Sequence, residues 1–299
     1  QLTSGAIGYN NPLPAKDGKE IYAIEVLRKG ELEQYNQKTA AFAPYLGGIS
    51  AYYFDFSRDG QSLAYVTYPD QTLWRSKADG SGSIQLTSSQ LAAFEPRWSP
   101  DGKQIVFYAI EQGKPPRLYI TPSDGSGAPE ELAPSSPGQQ WDPTWSPDGK
   151  SVMFGGEPGS QSVIRIVDVN TRQVTIIPGS QGIFSPRWSP DGRYIAAMPK
   201  GSQNLVLYDF KTQKWSTLAS DPPAFPAWSH DSQFVYYLSR RVLKRVRISD
   251  RKVEQVASLK GFSSAGYYGG WLGLMPDDTP LMLRDAGTED VVSMDWNAP

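Results

Sequence analysis

The 299-residue chain has no cysteine and a single histidine, His230. The first absence excludes disulfides, thiolate catalysis and cysteine-ligated zinc or iron–sulfur centres. The second leaves little room for a histidine-built metal site. Charge of one sign is also missing, since 29 Lys+Arg stand against 31 Asp+Glu. A dedicated nucleic-acid binder carries a large basic excess, so no direct nucleic-acid binding is expected. No apolar run approaches the ~20 residues of a membrane span, and the opening stretch lacks a charged-then-apolar leader. Membrane insertion is therefore not expected. Amphipathic helices are absent as well, because no segment combines the needed length with a 3.6-residue period. What the chain has in quantity is 28 Gly and 25 Pro for turns, and 9 Trp, 16 Tyr and 11 Phe for a core.

These residues are arranged in repeats. Trp98-Ser99-Pro100-Asp101-Gly102 recurs as Trp145-Ser146-Pro147-Asp148-Gly149 and Trp188-Ser189-Pro190-Asp191-Gly192. Trp228-Ser229-His230-Asp231-Ser232 and Phe56-Ser57-Arg58-Asp59-Gly60 are variants, with weaker copies at Ala15–Gly18 and Met275–Asp278. The turn aspartates, Asp17, Asp59, Asp101, Asp148, Asp191, Asp231 and Asp277, follow one another at intervals of 40 to 47 residues. Pro presets φ and Asp-Gly tolerates the left-handed positions of a tight hairpin. Each turn is followed by an apolar strand, such as Ile105–Ala109, then by two more polar ones. Four strands in ~40–45 residues is the period of a propeller blade.

The expectation is an all-β, seven-bladed propeller of four-stranded antiparallel blades, one domain over residues 1–299, with six blades as the alternative. Gln1-Leu2-Thr3 repeats Gln85-Leu86-Thr87, so residues 1–5 are expected to complete a last blade built from 270–299. Closing the ring hides edges that an open array exposes. The motif aromatics, and the prolines at 96, 143, 186 and 226, read as structural: large rings between blades, and a donor-less residue at a strand start or edge.

The Trp-Ser-Pro-Asp-Gly turn with its Ile/Val-rich following strand resembles the repeats of the TolB-like propeller family, across essentially the whole chain. Tyr45–Ala51, Ala64–Asp70, Leu73-Trp74-Arg75 and Leu281–Asp285 further resemble the C-terminal propeller of bacterial winged-helix regulators of the CadC/OmpR type. That second resemblance implies a sensory part of a larger receptor. Prolyl-peptidase-like enzymes also carry such propellers, beside a separate hydrolase domain.

Three features bear on chemistry. There is no Gly-x-Ser-x-Gly elbow, calcium loop or phosphate-cradling loop, and His230 falls at the Pro position of a turn. No catalytic residue, metal or cofactor is assigned, and the chain is expected not to be an enzyme. Aligned units place aromatic, acidic and basic residues where the innermost strands begin: Tyr52, Tyr53, Phe94, Glu95, Arg97, Trp141, Asp142, Phe184, Arg187, Phe225 and Tyr268. These are the candidate ligand site at one channel mouth, suited to a peptide or small polar ligand. The third feature is the basic stretch from Arg240 to Lys252, read chiefly as a strand with one solvated face. The resulting expectation is a monomeric module for a protein or peptide partner, the sensory or scaffolding part of a larger bacterial regulator, extracytoplasmic rather than cytoplasmic. The alternatives are a propeller hydrolase or lyase with a central-channel site, or a purely structural domain.

Overall fold

The computed structural model describes residues 7–159, 161–266 and 270–295. Seven antiparallel sheets are present, one for each of the seven turns. They are not equivalent, because six have four strands and one has three. Blade 1 holds Ala51–Phe56, Ser62–Thr67, Leu73–Lys77 and Ile84–Gln85. Blade 2 holds Leu91–Trp98, Gln104–Glu111, Arg117–Pro122 and Glu130–Glu131, and blade 3 holds Trp141–Trp145, Ser151–Gly155, Arg165–Asp168 and Val174–Ile176. Blade 4 runs through Ile183–Trp188, Tyr194–Pro199, Asn204–Asp209 and Lys214–Ser220. Blade 5 runs through Ala224–Trp228, Phe234–Ser239, Val242–Arg247 and Val253–Ser258. Strands are called a to d in that order.

Blade 6 closes the ring from both halves of the chain. Gly273–Leu274 and Pro280–Asp285 supply strands a and b, and Gly30–Asn36 and Ala41–Pro44 supply c and d. Each blade touches the next from 1 to 5, and blade 6 meets blade 1. Tyr236, Leu243 and Ala257 of blade 5 share a buried cluster with Tyr35, Leu272 and Met282, which completes the circle. Closure therefore does draw on the N-terminal part of the chain, but through residues 30–44. The expected closing residues 1–5 lie outside the described residues, and so does Tyr268.

The expectation that all of 270–299 enters the last blade needs correcting. Thr288–Asp295 leaves the ring and pairs with Glu20–Leu27, which carries Ile7–Pro14 on its other edge. The register explains why. Asp285 pairs with Gly30, and after a two-residue break on each strand Thr288 pairs with Leu27, in the same ladder register. Strands b and c of blade 6 thus run on past the ring as a ribbon, and Ile7–Pro14 makes it a three-stranded arm. Its residues enter none of the hydrophobic clusters that hold the blades. Val291 and Leu13 stay 78% and 66% exposed.

The repeated turn works by one hydrogen-bond scheme. In blade 2 the Ser99 hydroxyl donates to Asp101 at 2.6 Å and accepts the Gln104 N–H at 2.9 Å, while the same carboxylate accepts the Lys103 N–H. Ser57, Ser146, Ser189 and Ser229 repeat the bond to their aspartates. The hydroxyl bond, first among the causes, holds Asp101 below the usual carboxylate range. The indoles join blade to blade. Trp98 Nε1 donates to the Asp55 carbonyl at 3.1 Å, Trp145 to that of Arg97 at 3.0 Å, and Trp228 to that of Arg187 at 2.8 Å.

Two outcomes follow from this architecture. Ser99→Ala strips a bond from a repeated turn and should lower unfolding stability by about 1 kcal/mol in urea titration; an unchanged midpoint would refute the scheme. Deleting 7–27 with 288–295 should shift the melting temperature by less than about 4 °C, because the arm shares no core with the blades. A large drop in melting temperature would show that the ring leans on the arm.

Candidate functional site

The prolines before the motif tryptophans stand on strand a, the edge strand of each sheet, and within it they sit in a bulge that builds the site. In blade 2 strand a, Phe94 pairs with Tyr108 and Arg97 with Val106, so three steps on one strand face two on its partner. The same one-residue bulge occurs in strand a of blades 1, 3, 4 and 5. A bulge leaves a residue unpaired, and Pro, which has no N–H to offer, fits there at 96, 143, 186 and 226. The residue ahead takes a left-handed conformation: Tyr53 at φ 56°, Glu95 at 46°, Asp142 at 56°, Ser185 at 53° and Phe225 at 52°. Only glycine adopts that region freely, so five consecutive blades carry strain at the same place. Four of these five, all but Tyr53, line cavities at the centre of the ring.

Two cavities lie along the central channel, and Glu95 and Phe225 border both. The outer one, about 390 Å³, opens where strands a begin, with Trp141, Phe184, Met198, Pro223 and Phe225 as apolar walls and Asp142 and Ser185 beside Glu95. The inner one, about 190 Å³, extends toward the turn end among Phe56, Trp188, Trp228, Trp271, Arg97 and His230. Ala227 and Gly273 stand in its wall where blades 2 and 4 bring arginines, and the Trp271 ring packs over Gly273.

A buried ion cluster separates the two. Arg187 Nη2 lies 2.9 Å from Glu95 and 3.1 Å from Asp142, and Arg187 Nη1 donates to the Pro186 carbonyl at 3.0 Å. Burial raises Glu95 to about 7; the Arg187 cation opposes the rise and the Asp142 charge adds to it. For Arg187 burial works the other way, yet Glu95 and Asp142 outweigh it and hold the guanidinium charged. Deeper in, burial raises Asp55 despite Arg97 at 3.8 Å and the Trp98 N–H at 2.7 Å. At the turn end, His230 uses both its backbone N–H (3.0 Å) and Nδ1 (2.8 Å) on Asp278 Oδ1, tying blade 5 to blade 6. That carboxylate raises the imidazole above its ordinary value.

The expected site divides accordingly. Glu95, Trp141, Asp142, Phe184 and Phe225 line the outer cavity, and Arg97 and Arg187 the inner one. Tyr52, Tyr53 and Phe94 are at most 1% exposed and belong to the core of blades 1 and 2, where Tyr52 stacks on Tyr53 at 4.1 Å. They line neither cavity, because their rings pack between strands rather than into the channel. Trp188 is the reverse case. Its sequence position is that of an inter-blade indole, yet Nε1 donates to Gly192 of its own hairpin at 3.1 Å, and the ring stacks on Phe210. It borders the inner cavity. Phe210, an aromatic just after strand c of blade 4, was the one available sign of that rearrangement.

The basic stretch is split by the fold. Lys244 pairs with Asp221, Arg245 with Glu254, and Arg247 with Glu254 and Asp250. Arg245 also lies over the Phe234 ring at 4.4 Å. Arg240-Arg241 and Arg251-Lys252 stand in hairpins at opposite ends of blade 5. Among the described residues no group of three or more His, Asp or Glu side chains could hold a metal, and no helix is long and apolar enough to cross a membrane.

A closed ring of four-stranded sheets around a lined channel defines a β-propeller. A family profile described as the TolB beta propeller domain matches residues 53–266, and the chain belongs to that family. Among solved structures it is similar to a TolB of Agrobacterium tumefaciens, with TM-score 0.68 and 19% identity over 86% of this chain and 98% of the other. It is similar also to TolB of Acinetobacter baumannii, with TM-score 0.56 and 18% identity over 88% of this chain and 65% of the other. A nidogen/laminin complex contains a chain that aligns at TM-score 0.62 with 8% identity, over 80% of this chain and 94% of that one. These likenesses show the fold. A curated relative, the uncharacterized peptidase YuxL of Bacillus subtilis, is 30% identical over 148 residues. That match covers 47% of this chain and 16% of YuxL.

The buried carboxyl gives a pH signature. An unfolded glutamate releases its proton near 4.5, whereas folded Glu95 keeps it to about 7. Between those values the folded state binds one more proton, so this group's stabilisation is full below the lower value and is lost as pH rises through the upper one. Glu95→Gln should flatten that part of the stability profile when urea unfolding is compared at about pH 5 and about pH 8. Parallel profiles would place Glu95 outside the titration.

Proposed function

We propose that this propeller is a non-enzymatic binding module that takes a peptide or protein segment into the outer cavity. The observation that carries the reading is the pairing of an apolar wall, Trp141, Phe184, Met198 and Phe225, with the buried Glu95–Arg187–Asp142 cluster at its deep end. Apolar walls supply affinity and a few fixed polar groups supply orientation. An extended segment offers both kinds of group at once: side chains for the wall, and backbone donors and acceptors for the cluster. The module would serve as the sensory or scaffolding part of a larger bacterial regulator, monomeric and outside the cytoplasm. The winged-helix regulator resemblance in Tyr45–Ala51 and Leu281–Asp285 supports that placement.

One finding favours a second reading, in which the chain is the propeller part of a peptidase. The YuxL match supports it, although this chain spans only 16% of that protein. The two readings separate in one set of measurements. Peptides selected on the purified chain should bind with an affinity that Trp141→Ala weakens tenfold or more, about 1.4 kcal/mol, at unchanged melting temperature. Equal affinity in the variant would remove the outer cavity from the account. Steady turnover of fluorogenic peptides by the purified chain would overturn the non-enzymatic reading.

A further inference from the structure

The loops around the outer cavity are sorted by charge. Strands a begin, and the b–c hairpins turn, at the same end of the ring, so these loops rim the channel mouth. On blades 4 and 5 the rim carries Lys200 in the Lys200–Gln203 loop, Arg240-Arg241 in the hairpin, and Lys260 in the connection to blade 6. All four are exposed, and among the described residues none has a salt bridge. The cations on the outer strands of blade 5 differ, since Lys244, Arg245 and Arg247 each hold an acidic neighbour. Asp221, the acid of the neighbouring 221–223 connection, is taken by Lys244. Loops 200–203, 240–241 and 259–266 contain no acid.

The basic loops are also tied together. Arg240 Nη2 reaches Gln203 Oε1 at 3.5 Å, and the Leu259 N–H donates to the Arg241 carbonyl at 2.8 Å. Across the mouth, the corresponding loops of blades 1 to 3 hold Asp70, Glu111 and Glu157, with Lys114 committed to Glu111. The Arg-Arg hairpin itself is costly. Arg240 and Arg241 have φ of 47° and 63°, the left-handed pair of a two-residue turn for which Asn-Gly is the natural choice. Two arginines there give the turn no folding advantage.

We infer that blades 4 and 5 present a basic docking rim for an acidic peptide segment, whose apolar residues enter the outer cavity beside it. The inference rests on the mouth-binding reading above and adds the chemistry of the partner. The apolar walls and the Glu95 and Asp142 carboxylates in the adjoining cavity suit a peptide. A phosphate chain would have nothing to place against those walls and would meet those carboxylates. The opposed signs of the rim would also set the direction in which a segment lies, with its acids over blades 4 and 5.

Three labelled peptides sharing the same aromatic and aliphatic residues, with acidic, neutral or basic flanks, are titrated against the intact chain by fluorescence anisotropy. The acidic peptide should bind at least tenfold tighter than the basic one, and that preference should shrink as salt rises from about 50 to about 300 mM. Replacing Arg240-Arg241 by Asn-Gly should cost at least tenfold for the acidic peptide alone, while the variant melts no lower than the parent. Lys103→Glu, at the turn end, should leave binding unchanged. If all three peptides bind alike and the Asn-Gly variant matches the parent, the acidic-partner inference fails and mouth binding stands. If none binds, the mouth-binding reading itself fails. Tighter binding of a single-stranded oligonucleotide or of anionic vesicles, lost in the same variant, would overturn the assignment to peptide.

Discussion

The bulge in strand a governs what this propeller can do. Without it, strand a would alternate regularly and its side chains would divide evenly between the two faces of the blade. One extra residue, held left-handed at Tyr53, Glu95, Asp142, Ser185 and Phe225, bends the strand locally. Each such residue costs roughly 1–3 kcal/mol. Repeated strain of this size persists only where surrounding packing over-determines it, and stacked blades supply that packing. The proline beside four of these residues removes the N–H that the bulge would otherwise leave without a ladder partner.

The ring holds this constraint through contacts that differ from joint to joint. Three indoles each reach the backbone of the preceding blade. Between blades 3 and 4 that bond is replaced by Trp188 turning onto Phe210, with the Thr144 hydroxyl left to accept the Trp188 N–H at 3.4 Å. Between blades 5 and 6, where Leu274 replaces the indole, His230 and Asp278 make the joint. Both of these joints border the inner cavity, as do Phe56, which holds the tryptophan's place where blade 1 meets blade 6, and Trp228 and Arg187 of a regular joint.

Much of the fold was legible because the turn motif is a local device: Ser, Asp and Gly act within five residues, so Trp98–Gly102 signals its hairpin without help from the rest of the chain. Seven turns gave seven sheets for that reason. What the repeat could not reveal was which sheets close on each other, since that depends on pairing across the whole chain. The first and last turns, around Asp17 and Asp277, read alike, yet one lies in the arm and the other in blade 6. The site was partly legible. Alignment grouped Glu95, Trp141, Asp142, Phe184 and Phe225, which line one cavity. It could not separate them from Tyr52, Tyr53 and Phe94, because Phe94 and Trp141 hold the same place ahead of a bulge proline, yet Phe94 is buried on Tyr108 and Trp141 lines the cavity.

The placement of charge shows the same division between local pattern and ring geometry. Along the sequence, the cations from Arg240 to Lys252 form one run. The blade separates them into three environments: a strand whose cations are neutralised by Asp221, Asp250 and Glu254, a hairpin at the turn end, and a hairpin at the mouth. Neutralising the strand is what packing requires, since Arg245 and Arg247 lie against the Phe234 ring and are half-buried. The mouth pair has no such requirement, because it is exposed and its backbone would be less strained with other residues. A near-neutral chain thus concentrates uncompensated charge where the channel opens, and the field there is set by the loops of blades 4 and 5 rather than by net charge.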